Sequence, residues 1–139
     1  MARFHEQVMG VFFDDLDAFQ ILHNARYILL FERTLGSFWL EVGLGAFDLN
    51  GETDHLHLVA HNSVDYLAPV RGVGRVRVRV YVESIGRSSL VFRFAIMPMD
   101  EDREYARGKR VIVRFDPNTQ KSTPWSDDFR QRIAPWVAA

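Results

Sequence analysis

Asp15-Leu16-Asp17-Ala18-Phe19-Gln20-Ile21-Leu22-His23-Asn24-Ala25-Arg26-Tyr27 places two acids and a polar His-Asn pair directly ahead of a strongly apolar helical period. From Asn24 to Val42, the residues Ile28, Phe31, Leu35, Phe38 and Val42 recur at helical steps and make one apolar stripe. Leu30 and Leu40 broaden it, so the helix is expected to be wrapped on most sides. Gly36 in its middle costs about 1 kcal/mol relative to Ala. The expected return is a close approach of the helix backbone to a sheet. Gly43 and Gly45 end the helix. An acid at such a mouth can cap the helix by accepting its orphan N–H groups. It can also aim a carboxylate at a substrate whose carbonyl oxygen those groups hold.

Around this helix the period changes to two. Gln7 to Phe13 reads as a first strand closed by Asp14-Asp15, and Leu44 to Asp54 as a polar loop. His57 to Tyr66 is a strand stopped by Pro69 and Gly72. Val76, Val78, Val80 and Val82 alternate with Arg75, Arg77, Arg79 and Tyr81, which predicts a half-buried strand with one basic, wet face. Gly86 opens a turn, and Leu90, Phe92, Phe94 and Ile96 alternate up to Pro98. Tyr105 to Phe115 is the last long strand, and Ser126 to Trp136 is a short capped helix or a tail. Short turns between the later strands predict antiparallel pairing. One long apolar helix against one antiparallel sheet is an α+β layer pair, in a single domain over residues 1–139.

The chain has 139 residues, 47% of them hydrophobic, and a formal net charge of -1. That balance gives no electrostatic case for nucleic acid, and the row Arg75, Arg77, Arg79 lacks the interleaved aromatics that would argue otherwise. No cysteine is present, which removes disulfides, thiolate metal sites and cysteine nucleophiles. No leader-like start and no apolar run of about 20 residues is visible, so a cytoplasmic protein without a membrane partner is expected. His55, His57 and His61 would share one face of an unbroken strand, but spread over about 20 Å at about 3.3 Å per residue, too far for one ion. No metal site is expected.

In order along the chain, Asp15-x-Asp17-Ala18 with Asn24-Ala25-Arg26-Tyr27 and Phe31-Glu32-Arg33, then Val64-Asp65-Tyr66-Leu67-Ala68-Pro69-Val70, then Gly86-Arg87-Ser88-Ser89, resemble the hotdog-fold acyl-CoA thioesterases of the 4-hydroxybenzoyl-CoA thioesterase-like family. The resemblance implies a curved antiparallel sheet around one long central helix. It implies a catalytic carboxylate at Asp17, a backbone N–H near Asn24 and His23 that polarises the thioester carbonyl, and an active site at a dimer interface. It implies no cofactor beyond the coenzyme A (CoA) of the substrate, which would run along a groove between subunits of a dimer or dimer of dimers. The chain departs from the family at Gln20-Ile21, where many relatives have Gly followed by His or a small apolar residue. Gln visits positive φ less freely than Gly, which predicts either a reshaped loop or only a different acyl pocket, with Phe19 and Gln20 lining it.

Each candidate also has a structural reading. On its residues alone Asp17 reads first as a cap or turn acid; thioester hydrolysis needs only a nucleophile or a base, because a thiol of pKa about 8.5 leaves readily. Asp15 is expected to bond backbone. Asn24 reads as the helix cap, and Tyr27 follows it in the motif. Glu32 is expected to pair with Arg33, Arg26 or a sheet arginine rather than to act as an acid. Arg87, Ser88 and Ser89, with Arg71, suit phosphate groups or a plain polar hairpin. His61 or Asn62 would face the active site from a partner subunit. Phe12, Phe13, Phe19 and Trp39 allow an aryl or a fatty acyl group. The competing functions are a non-catalytic acyl-CoA or acyl-carrier-protein binding protein and, behind it, an enoyl-CoA hydratase-type enzyme, whose Asp–His spacing Asp17 and His23 miss by one residue.

Overall fold

The structure is a computed structural model and describes residues 3–44 and 56–138. His55, Gly45 and the loop expected beyond Leu44 lie outside the described residues. Strand β1 spans His5–Val11, helix α1 Asn24–Glu41, and strands β2 to β5 span His57–Tyr66, Gly74–Ile85, Ser89–Met97 and Ala106–Asp116. A two-residue β6, Lys121–Ser122, pairs with β5, and helix α2 covers Asp127–Ile133. The first strand ends two residues before the sequence expectation. Phe13–Asp15 form a single 3-10 turn there, and the Asp15 carboxylate accepts the Phe12 N–H at 2.8 Å.

All the strands pair antiparallel, in the order β1-β3-β4-β5-β2. Hairpin turns join β3 to β4 and β4 to β5. β2 does not pair with β3, its successor in sequence; it lies on the far edge against β5. Residues 67–73 therefore cross from that edge to the middle of the sheet. Helix α1 has 18 residues and presents Tyr27, Leu30, Phe31, Thr34, Leu35 and Phe38 to the sheet. Phe31 stacks on Phe94 with ring centroids 4.5 Å apart, and Phe38 meets Phe92 edge-on at 5.9 Å. The alternating Val76, Val78, Val80 and Val82 are all buried on the same face. Each such side chain removed from water is worth about 1.5–3 kcal/mol.

Two expectations about α1 are corrected. Leu40 is exposed, and Glu32, Arg33 and Gly36 share the open side, so the helix is not wrapped on most sides. Gly36 approaches nothing: a Cβ there would meet no atom within 4 Å among the described residues. Sheet contact comes from the Phe31–Phe38 side instead. Of the two readings of the terminal segment the capped helix is the one found, with the Ser126 hydroxyl accepting the Phe129 N–H at 3.1 Å. It adds Phe129, Ile133 and Trp136 to the core, and Trp136 meets Phe38 edge-on at 5.1 Å.

The outer face of β3 is basic, and two of its three arginines are neutralised. Arg77 and Arg79 share Glu6 and Asp102, at 2.8 Å for Arg77–Asp102 and 2.7 Å for Arg79–Glu6. The hydrogen bond from Arg77 holds the Asp102 carboxyl below its ordinary value. On the other face His5 joins β1 to α1 by donating from Nε2 to the Ser37 hydroxyl at 2.6 Å, which in turn donates to the Thr34 carbonyl at 2.7 Å.

Two outcomes follow from these contacts. Gly36→Ala should stabilise the protein by up to about 1 kcal/mol, read as a higher midpoint in urea; a lower midpoint would mean that something packs on that face. Burial lowers the His5 pKa, against the opposing charge of Glu41. A depressed folded pKa makes the unfolded chain take the proton first, so stability should fall as pH drops below about 6.5 toward the folded value. His5→Gln should flatten this acid loss between pH 7.5 and pH 5.5, and equal slopes for the two proteins would contradict it.

Candidate active site

The segment that enters α1 is built from backbone hydrogen bonds rather than regular structure. Asp17 N–H donates to the Ile21 carbonyl at 2.8 Å, and Gln20 N–H to the Asp17 carbonyl at 3.0 Å. Inside this turn Asp17 Oδ1 accepts from the Phe19 and Ile21 N–H groups, at 2.8 and 3.2 Å. Oδ2 takes no hydrogen bond from any described residue. Gln20 adopts φ of 62°. Gln itself occupies the left-handed region that Gly visits more freely, and the ring of bonds around Asp17 holds it there.

A second irregular segment steadies the first. The Leu22 N–H donates to the Val70 carbonyl at 2.9 Å, the Gly72 N–H to the Gln20 carbonyl at 2.9 Å, and Ile21 bridges to Arg71. The crossing from β2 to β3 is therefore the floor beneath the Asp17 turn. Leu67 and Ala68 donate in turn to the Tyr105 carbonyl, which ties that floor to the start of β5.

The helix cap is His23, not Asn24. The His23 Nδ1 accepts the Ala25 N–H at 3.1 Å, and its carbonyl accepts the Arg26 N–H at 2.8 Å. With Nδ1 an acceptor, the ring carries its proton on Nε2. Asn24 is the first helical residue, and its N–H meets no acceptor among the described residues. It is one of the orphan donors at the positive end of an 18-residue helix. Asp15 behaves as expected, bonding Phe12 and lying 3.7 Å from Arg26.

Asp17, His23, Asn24 and Tyr27 line one cleft of about 470 Å³, together with Ile21, Leu22 and the Tyr66–Pro69 stretch. In the sequence Tyr66 stands out only as part of a strand-ending segment. Here its hydroxyl donates to the Asn24 carbonyl at 3.2 Å, and its ring meets Tyr27 edge-on at 5.0 Å. Burial raises the Tyr27 phenol above its ordinary pKa; the charge of nearby Asp17 adds to this, while the Val70 backbone opposes it.

Other candidates lie elsewhere. Phe19 is exposed and outside the cleft, as are Phe12 and Phe13, while Trp39 is partly buried and packs against the core beside Phe38, Phe92 and Phe129. A bulge between Val59 and His61 shifts the β2 register, so His57 faces Trp39 and His61 the opposite side of the sheet. The one-face reading of these histidines is corrected by that extra residue. Asn62 is on the helix side but is engaged: Arg110, 4% exposed, donates to Asn62 Oδ1 and to Glu32 Oε1, each at 2.8 Å, and lies over Phe31. Glu32 thus pairs with a sheet arginine. The Arg87-Ser88-Ser89 turn lies where Ser89 meets Val113, at the opposite end of the strands from Tyr66 and Ala106. Within one chain it is about 25 Å from the cleft along the strands. Arg71 stands on the cleft's floor segment. Among the described residues no group of three His, Asp or Glu is placed to hold a metal, and no helix is long and apolar enough to cross a membrane.

A family model described as the Thioesterase-like superfamily matches residues 11–133. The chain belongs to that superfamily, and its class is thioester hydrolase. No curated protein matches it. Solved structures match its hotdog-type fold at low identity. A predicted thioesterase from Bacillus stearothermophilus is 20% identical, with a TM-score of 0.85 over 98% of each chain. A thioesterase complexed with coenzyme A and Zn from Thermus thermophilus is 24% identical, with a TM-score of 0.78 over 94% of this chain and 92% of that one. A 1,4-dihydroxy-2-naphthoyl-CoA thioesterase from Synechocystis is 14% identical, with a TM-score of 0.81 over 95% and 96%.

The Gln20 conformation can be tested directly. A β-branched side chain tolerates positive φ poorly, so Gln20→Val should cost about 1–3 kcal/mol. Gln20→Gly should be close to neutral, because relief of strain is offset by a freer unfolded chain. Equal stability of the Val and Gly variants would show that this turn does not hold the left-handed conformation.

Proposed function

We propose that this protein is an acyl-CoA thioesterase in which Asp17 acts as nucleophile or general base. The observation that carries the reading is the meeting, in one cleft, of a carboxylate oxygen and a helix-start N–H that have no hydrogen-bond partner among the described residues. The two backbone bonds on Oδ1 fix the carboxylate's rotation and leave Oδ2 for chemistry. The Asn24 N–H would take the thioester oxygen, where negative charge grows in the transition state. Oδ2 would attack the carbonyl carbon or remove a proton from attacking water, and the CoA thiolate would depart without an acid to protonate it.

The reading includes a homodimer with each sheet curved around its α1. β2 is a 10-residue edge strand, and Leu58, Val59 and Tyr66 on it are exposed. Such an edge seeks a partner strand. Antiparallel pairing of two β2 strands would set the start of one beside the end of the other. The Arg87-Ser88-Ser89 turn of each subunit would then share an end of the joined sheet with the other subunit's cleft. This arrangement would let one chain hold the CoA phosphates and the other the thioester. A binding protein without turnover would keep the same cleft, so the rate decides between them.

Asp17→Asn should keep the fold, because the amide oxygen can still accept from Phe19 and Ile21. It should lower thiol release from an acyl-CoA panel by ~10² or more, a typical contribution of a positioned base. Unchanged turnover would remove Asp17 from the mechanism, and absence of turnover in the parent protein across the panel would favour the binding-only alternative.

A further inference from the structure

The sequence offers Phe12, Phe13 and Phe19 as candidates for the acyl pocket. The structure places them outside it, exposed by 60%, 80% and 82%, with Val73 beside them at 65%. They converge from three segments. Val11 pairs with Gly74, so Phe12 and Val73 continue the same two strands past their last paired residues. The Gln20 carbonyl accepts the Gly72 N–H, which brings Phe19 to the same end. The tip of the Phe12 ring lies against Gly10, where an added Cβ would come within 2.7 Å of it. Four large apolar side chains thus stand on loop tips around one end of β1 and β3, next to the mouth of the Asp17 cleft.

Two cations flank the group. Arg71 bridges Ile21, and Arg75 lies opposite Gly10 in the β1–β3 ladder. Both are exposed, and neither forms an ion pair among the described residues. The β2 edge lies across the sheet, about 14–19 Å away at about 4.8 Å per strand. Dimerisation through β2 would therefore leave Phe12, Phe13 and Val73 in water.

We propose that this aromatic tip is an interfacial docking surface that seats the protein on an anionic lipid bilayer, with the Phe side chains at the acyl boundary and Arg71 and Arg75 against headgroup phosphates. The shape favours a lipid surface over a protein. The apolar groups stand on separate loop segments beyond the ends of two strands, a placement suited to a deformable medium. Aromatic side chains beside arginines are the composition of peripheral membrane anchors. The surface departs from the expectation of no membrane partner, which rested on the lack of a spanning segment. Its value for the cell rests on the thioesterase reading: a long acyl thioester is an amphiphile that collects at bilayers, and the cleft would open beside its source.

The test is co-sedimentation of the full chain with phosphatidylcholine vesicles, with and without phosphatidylglycerol, at several salt concentrations and without substrate. Binding is expected to phosphatidylglycerol-containing vesicles and to weaken as salt rises. Phe12→Ser and Phe13→Ser should each lower vesicle affinity roughly tenfold. Arg75→Gln should reduce the salt dependence while leaving the apolar part of binding in place. Hydrolysis of a short, water-soluble acyl-CoA by Phe13→Ser should equal that of the parent. No vesicle binding by the parent, or equal binding by the Phe variants, would overturn the proposal. A change of sedimentation coefficient in the Phe variants without vesicles would overturn it in favour of a contact between copies of the chain. Vesicle binding that behaves as expected in a protein without hydrolysis would keep the surface and reject the thioesterase reading.

Discussion

The site depends on two stretches of irregular backbone that complete each other. Residues 16–22 and 67–73 belong to no helix or strand, and each would carry unsatisfied N–H and C=O groups if left alone near the core. The bonds Leu22–Val70 and Gly72–Gln20, with the Ile21–Arg71 bridge, pair them. The second stretch exists because β2 sits on the far edge of the sheet and the chain must return to its middle to form β3. The strand order therefore supplies the floor on which the Asp17 turn rests.

Electrostatics then acts on a prepared frame. Backbone donors hold one oxygen of Asp17, while the first N–H of α1, on Asn24 at the same cleft, has no acceptor among the described residues. Tyr66 fastens that end of the helix to β2, and its ring against Tyr27 closes one side. Exposure of β2, whose helix-facing residues α1 covers only in part, belongs to the same plan. A second subunit pairing there would shield the Tyr66 end of the cleft.

Much of this is legible in the residues, for reasons that can be named. Alternating valines from Val76 to Val82 fix a face because strand side chains have a period of two, and the Phe31–Leu35–Phe38 spacing fixes the buried side of a helix. Ser126 announces a cap through its hydroxyl and its place before Asp127-Asp128. What is not legible depends on partners distant in sequence or on one backbone angle. Nothing local says that β2 pairs with β5, or that a bulge before His61 turns it away from the face of His57. Gln20 in a left-handed conformation contradicts its own preference and is explained only by the bonds around it. Gly36 suggests a close neighbour that the helix does not have among the described residues. For the aromatic residues, composition gives the count but not the side: Phe12, Phe13 and Phe19 stand in water while Phe31 and Phe38 fill the core.

The Arg110 cluster carries a consequence for how this sequence can drift. Arginine stays charged at any ordinary pH, and here its guanidinium is buried against Phe31 with Glu32 and Asn62 as its hydrogen-bond acceptors. Replacing Glu32 alone would strand a desolvated cation, and replacing Arg110 alone would leave a polar acceptor on β2 facing an aromatic wall. Exchanging both for apolar residues of similar volume would be milder than replacing Glu32 alone, because no desolvated cation is then left without its partner. Positions 32 and 110 are thus coupled epistatically: a lineage that loses one member is pressed to lose or restore the other, so the helix and β5 should vary as a pair although they lie 78 residues apart.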